Sequence, residues 1–221
     1  GLKSNIASIA AKGFGVGEHR VKIESTNTTR IANMSPSAAS ATTVLNGNAT
    51  LVAIEQVLDR LKSAVAKELG VQDKGRITIV DEKVLCDGCK TDWTWDRLIQ
   101  TAHLNRIGLS AHGFFATPDI YFDKVKEKGH PFAYHIFGTA IIEVTLDCLR
   151  GTYDIDSIRI VHDLGRQLSE LADRGQIEGG LAQGLGWRTI EDLRFNEKGQ
   201  LLSGALATYK VPDVYFMPDA I

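Results

Sequence analysis

Gly175-Gln-Ile-Glu-Gly-Gly-Leu-Ala-Gln-Gly-Leu-Gly-Trp187 holds five glycines and two glutamines in thirteen residues. Glycine loses more conformational freedom on folding than any other residue, so such density points to a backbone that turns sharply or is approached closely. The side chains left for chemistry are Gln176, Glu178 and Gln183. An amide such as Gln176 donates and accepts at once, which suits an oxo, sulfido or phosphate group on a bound cofactor. The competing reading is a glycine-rich turn feeding a helix packed tightly on its neighbour. Local sequence leaves both open. Residues 167–174 read as a short helix delivering the chain to this stretch. Beyond it, helical periodicity continues through Leu181, Leu185 and Ile190, and then Leu193-Arg-Phe and Leu201-Leu-Ser pair across Glu197-Lys-Gly-Gln.

Working outward, the 221 residues are 43% apolar and 24% charged, a balance that builds a globular core. Twenty-five Lys and Arg against 27 Asp and Glu leave a net charge of −2, without the basic stripe that nucleic-acid binding requires. No apolar run approaches the roughly 18 residues that span a bilayer. The start, Gly1-Leu-Lys-Ser-Asn-Ile, has no secretory signal pattern, so the sequons at Asn27, Asn33 and Asn48 read as chance. Cys86, Cys89 and Cys148 are too few for a disulfide framework and indicate a reducing, cytoplasmic setting.

Leu2, Ile6, Ile9 and Ala10 predict an opening helix that stops near Gly13 or Gly15. Residues 20–25 alternate as a strand. From about Ala38 a long helix runs through Val44, Leu51, Ile54, Val57, Leu58, Leu61 and Val65 to Gly70, with Ser35 or Ser37 placed to cap it. Bare N–H groups at such a terminus attract anions, although a well-capped helix needs no ligand. Residues 76–85 read as a hairpin turning at Asp81-Glu82, and Cys86-Asp-Gly-Cys89 follows directly. That pair lacks a second CxxC or a suitably spaced histidine, so it reads as a turn carrying two thiols. Residues 93–102 are helix-like, 109–118 a strand running into a turn, and 124–130 a solvated charged loop. Residues 132–148 are strand-like, with a bulge or close backbone approach at Gly138; after a turn at Leu149-Arg-Gly-Thr the second arm covers 155–163. The six histidines are scattered, and His162-Asp163 reads as a hydrogen-bonded turn at a strand end.

Taken together these segments resemble the xanthine dehydrogenase and aldehyde oxidase family. Gly175-Gln-Ile-Glu-Gly, with Gln183-Gly-Leu-Gly-Trp after it, is similar to that family's GQxEG…QGxG segment. Ser35-Pro-Ser-Ala-Ala-Ser-Ala-Thr followed by Leu45-Asn-Gly is similar to its SPTAAS…LNG run, and Gly113-Phe-Phe-Ala-Thr-Pro to its GFxxTP turn. Tyr134 to Gly138, Glu143-Val and Asp147-Cys-Leu-Arg-Gly resemble its YxxYG…EVxxDxxTG hairpin, with Phe137 replacing the second tyrosine; Thr208-Tyr-Lys-Val-Pro resembles TYKIP. The blocks keep the family's order over nearly the whole chain, and the overall likeness is closer to the xanthine dehydrogenases.

The resemblance implies the molybdopterin-binding part of a molybdenum hydroxylase. Such enzymes insert water-derived oxygen at an electron-poor carbon of a purine or an aldehyde and pass electrons through 2Fe-2S centres to FAD. By position, Gln176 matches a glutamine contacting the molybdenum centre or the pterin. Ala38 and Ala39 match small residues beside metal and substrate, and Ser40 a cofactor contact. Glu178 belongs to the GQxEG segment rather than to the family's catalytic base, so no catalytic residue is assigned here. The family's glycine-rich loop, substrate-clamping residues and catalytic glutamate have no counterpart in the chain, which therefore reads as a fragment without activity of its own. An aldehyde oxidase-type hydroxylase and a non-catalytic assembly module are the alternatives. Hairpins alternating with single long helices imply an α+β fold of mixed sheets with helices packed on one face, in one domain or in two lobes divided within 70–110. Apolar surface left uncovered implies self-association.

Overall fold

The structure, a computed structural model, describes residues 1–24, 27–29, 36–38 and 41–219. It divides into two compact units, Gly1–Ala133 and Tyr134–Ile221. Residues 70–110 lie wholly inside the first unit, because the hairpin and the CxxC run belong to a sheet that packs on the first unit's helices.

Helix α1 (Leu2–Phe14) ends at Gly15, whose φ of 70° lets the N–H of Val16 reach back 2.9 Å to the carbonyl of Ala11. Helix α2 (Thr42–Glu68) buries Ile54, Val57, Leu61 and Val65, which fall on one face at three- and four-residue spacing. The two helices cross closely because each offers a glycine to the other's isoleucine. A Cβ on Gly13 would stand 2.9 Å from Ile54, and one on Gly47 would stand 2.8 Å from Ile9. Strands β1 (Ile77–Val80), β2 (Lys83–Cys86) and β3 (Cys89–Thr94) form an antiparallel meander. Its first turn is Asp81-Glu82, with φ of 48° and 60°. Helix α3 (Trp95–Leu104) follows at once, capped by the Thr94 hydroxyl, which accepts from the N–H of Arg97. Leu61, Ile77, Val84 and Leu98 are fully buried where α2, the meander and α3 meet.

Three local expectations change here. Residues 21–24 are not a strand: a 3-10 turn, Glu18–Arg20, aims Arg20 at two carboxylates instead. Its guanidinium donates to Glu82 from Nε at 2.8 Å and to Asp96 at 2.8 Å, tying this segment to the β1–β2 turn and to α3. Residues 109–118 are irregular, because side chains of α2 take up their carbonyls; Arg60 donates to the carbonyl of Ser110 at 2.8 Å and Gln56 to that of His112 at 3.1 Å. The charged run 124–130 is partly strand, since β4 (Tyr121–Asp123) pairs with β5 (Lys128–His130) around an exposed turn.

The second unit opens with a ribbon of β6 (Gly138–Asp147) and β7 (Thr152–His162), bulged at Glu143/Val144. Gly138 faces His162 in register so closely that a Cβ there would overlap the imidazole, so close approach is what that glycine provides. Asp163 accepts from the N–H of Gly165 at 2.9 Å and ends the ribbon in a turn. Helix α4 (Glu170–Thr189) follows, capped by Ser169. The class is therefore α+β. Every strand pairing among the described residues is antiparallel rather than mixed, because each is closed by a short turn that reverses the chain.

Replacing Leu61 by Ala removes a fully buried side chain from the first unit's core, and the expected loss is about 2–5 kcal/mol in urea unfolding. Arg20 also holds the Glu82 carboxyl down from its usual 4.5 to about 2, chiefly by hydrogen bonding. The contribution of that pairing is complete above about 4.5 and fades as pH falls from there toward 2. Glu82→Gln is expected to lower the urea midpoint near neutral pH, with the two midpoints converging as pH falls through this window.

Candidate functional site

The glycine-rich stretch is helix, not turn. α4 continues from Glu170 through all five glycines to Thr189, so the short helix expected over 167–174 is its first turns. Helical spacing then sorts the stretch into faces. Gln176, Gly179, Gly180, Gln183, Gly184 and Trp187 recur at i, i+3, i+4, i+7, i+8 and i+11 and form one stripe. All six are exposed, whereas Ile177, Leu181 and Leu185 on the other side are half-buried. A Cβ on Gly175, Gly179, Gly180 or Gly184 would meet nothing within 4 Å, so packing among the described residues of the second unit does not require those glycines.

Exposed helix faces ordinarily carry charged, long-chain residues with good helix propensity, and each glycine costs about 0.5–1 kcal/mol relative to alanine. Between Gln176 and Trp187 this stripe has no ionised group. It offers bare backbone, two amides and an indole. Glu178 lies off it, in an i,i+4 ion pair with Arg174 at 2.5 Å that accounts for the carboxylate structurally.

Gly186 is different. It is buried, and a Cβ there would sit 2.5 Å from Pro212 and overlap the Glu191 carboxylate. Glu191 in turn accepts a hydrogen bond from the Tyr209 hydroxyl, which raises the tyrosine's pKa. The Thr208-Tyr-Lys-Val-Pro segment is thereby fastened to the end of α4. Between them lies an open groove of about 660 Å³ lined by Gly180, Gln183, Gly184, Trp187, Glu191, Val211 and Pro212. Trp187 and the Glu191–Tyr209 pair were not singled out from sequence. The i, i+3, i+4 spacing from Gln176 to Trp187 carried the signal, but glycine density argued for a turn.

Among the other residues, Ala38 is exposed in the first unit, and its carbonyl accepts from the N–H of Ala41 at 3.2 Å. Ala39 and Ser40 lie outside the described residues. α2 starts at Thr42 rather than near Ala38, with Ala41 in the capping position and no side-chain cap. Ser37 stands too early in the chain to cap that first turn, and Ser35 lies outside the described residues. The first turn of α2 is thus uncapped by any described side chain, as an anion site would need.

Comparison with known proteins gives the family to which this α+β chain belongs. The sequence profile of the molybdopterin cofactor-binding domain matches residues 1–218, so the chain belongs to that family. It is 36% identical to the xanthine dehydrogenase of Oryza sativa subsp. japonica over 99% of this chain and 15% of that protein. It is 34% identical to the xanthine dehydrogenase/oxidase of Gallus gallus over 96% of this chain and 14% of that protein. The chain therefore spans about one-seventh of the length of these relatives. Among solved structures, quinoline 2-oxidoreductase from Pseudomonas putida 86 shares the fold, with a TM-score of 0.80 at 20% identity over 98% of this chain and 27% of that one.

Two glycine substitutions should move stability in opposite directions. Gly184→Ala, with open space around the new methyl, is expected to stabilise the chain by about 0.5–1 kcal/mol. Gly186→Ala, forced against Pro212 and Glu191, is expected to destabilise it by about 1–3 kcal/mol. Urea midpoints of the two variants check both signs.

Proposed function

We propose that this chain supplies part of the wall of a molybdopterin site in a purine hydroxylase of the xanthine dehydrogenase type. The observation that carries the reading is the exposed stripe from Gln176 to Trp187, where bare helix backbone and two amides replace the charged side chains of an ordinary solvated face. Such a surface fits an anionic, hydrogen-bonding cofactor pressed against a helix. When bound, that cofactor supplies hydroxylation of an electron-poor carbon with oxygen derived from water. The chain's own residues bind and orient. Gln176 and Gln183 donate from their amides, and the glycines let the ligand lie close to the helix axis. From the family resemblance, Ala38, Ala39 and Ser40 are further candidate contacts to such a group, and α2, which follows them in the chain, starts without a side-chain cap. Glu178, held by Arg174, takes no part in proton transfer.

Electrons released in the reaction go on to 2Fe-2S and FAD centres on other domains or subunits. No helix among the described residues is long and apolar enough to cross a membrane. Large apolar side chains on the β6–β7 ribbon, among them Ile141, Leu146 and Val161, are exposed and give neighbouring domains or a second copy a surface to cover.

The test uses the longer protein that carries this chain. Loss of a hydrogen bond to a charged group is worth roughly 1.5–3 kcal/mol, so Gln176→Ala is expected to weaken cofactor retention by about 10- to 100-fold. Molybdenum and pterin content, with xanthine hydroxylation measured beside them, report it. Gly184→Ala should also lower cofactor content, even though it strengthens the helix. Unchanged cofactor content and turnover in both variants would overturn the assignment.

A further inference from the structure

The Cys86-Asp-Gly-Cys89 run has no part in the groove on α4, and sequence alone leaves it as a turn with two thiols. The register of the meander makes it more specific. Asp87 and Gly88 are the entire connection between β2 and β3, with φ of 51° and 76°, and Cys86 and Cys89 are direct cross-strand partners. Opposed residues of an antiparallel pair project from the same face. Their Cα atoms stand about 5.5 Å apart in a hydrogen-bonded pair and their Cβ atoms about 4.5–5.5 Å. A disulfide spans Cα separations of about 4.4–6.8 Å and Cβ separations of about 3.5–4.5 Å. A bridge therefore closes with a contraction of about 1 Å between the Cβ atoms and no rearrangement of the hairpin.

Surroundings differ at the two sulfurs. Cys89 is exposed, whereas Cys86 is half-buried and packs against the core that contains Val84 and Ile77. The turn itself is held rigidly, since the N–H of Asp87 donates to the carbonyl of Arg76 at 2.9 Å and the Arg76 guanidinium pairs with the Asp87 carboxylate. Among the described residues, no group of three or more His, Cys, Asp or Glu is assembled to hold a metal ion, so two thiols without further ligands favour exchange chemistry over metal binding.

We propose that Cys86 and Cys89 are a redox-active dithiol that oxidises to a cross-strand disulfide by exchange with a low-molecular-weight disulfide of the glutathione type. The exposed Cys89, as thiolate, attacks one sulfur of the small disulfide. That S–S bond breaks, a Cys89–glutathione bond forms, and one glutathione thiolate leaves and takes a proton from solvent. Cys86, after giving its proton to solvent, attacks Sγ of Cys89 and expels the second glutathione thiolate, which is protonated in turn. Two protein thiols are oxidised and one small disulfide is reduced to two thiols. The bridge closes a very short loop, so it removes comparatively little entropy from the unfolded chain. The contraction it requires adds strain. Both place it among readily reduced disulfides rather than structural staples.

The test equilibrates the reduced 221-residue chain in glutathione buffers of graded oxidised-to-reduced ratio, then alkylates and maps the peptides. The expected result is joint loss of the two alkylatable thiols, with a cross-linked peptide containing Cys86 and Cys89. Cys148 forms no bridge to either of them, and both thiols return in excess reduced glutathione. In Cys86→Ser, Cys89 is expected to stop at a glutathione adduct that the unsubstituted chain does not accumulate. Retention of both thiols in the most oxidising buffer overturns the proposal. So do independent adducts on both cysteines of the unsubstituted chain, or bridging of either one to Cys148. The map of the unsubstituted chain decides the matter even where the Cys86→Ser chain does not fold.

Discussion

A helix that runs through five glycines needs its opposite face held, and this condition shapes the second unit. In isolation, α4 would lose several kcal/mol to glycine entropy, at about 0.5–1 kcal/mol for each glycine. It persists because Ile177, Leu181 and Leu185 are partly buried, because Ser169 caps its start, and because Gly186 is seated against Pro212 and Glu191. The Tyr209–Glu191 hydrogen bond then ties the following extended segment to that seat. Two stretches of the chain that lie some twenty residues apart thus become one structure, with the groove between them. The exposed stripe is what this support makes available: an ordered helix surface that presents bare backbone, two amides and an indole.

The first unit is stabilised in a more ordinary way. Its core is a helix stripe against a three-stranded meander, closed by α3, and fully buried aliphatic side chains carry most of the burial energy. Charge is used at the edges. Arg20 bridges Glu82 and Asp96 and so fixes the segment after α1 without any strand pairing. Segment 109–118 is held to α2 by arginine and glutamine side chains that satisfy its carbonyls. In both places side-chain hydrogen bonds take the role that a sheet ladder would have had.

The stripe on α4 and the start of α2 can each be compared with the backbone groups that helices leave open. Neither place presents an ionised side chain among the described residues that form it. They differ in where the backbone donors go. At α2 the terminus exposes N–H groups that no helix partner can reach. On α4 the N–H groups are used within the helix, and the exposed stripe carries the amides of Gln176 and Gln183 instead. The thiol pair at the β2–β3 turn belongs to the first unit's meander, where strand register makes Cys86 and Cys89 direct partners.

The sequence by itself determined where the chain would be helical or paired in its regular parts. The apolar spacing of α1 and α2, the turn at Asp81-Glu82 and the Leu149-Arg-Gly-Thr reversal are local signals, and local signals survive folding unchanged. It also marked Gln176 and its glycines as unusual, and the family resemblance was legible in the order of its motifs. What the glycines were doing was not. Glycine weakens helix and favours turns when judged alone, and only packing on the far side of α4 overrides that preference. Residues 21–24 and 109–118 misled for the related reason that alternation predicts a strand but cannot supply its partner. The opposition of Cys86 and Cys89, the seat of Gly186 on Pro212 and the division after Ala133 all depend on which surfaces meet. Those are contacts between residues distant in sequence or facing across a turn, and tertiary structure alone decides them.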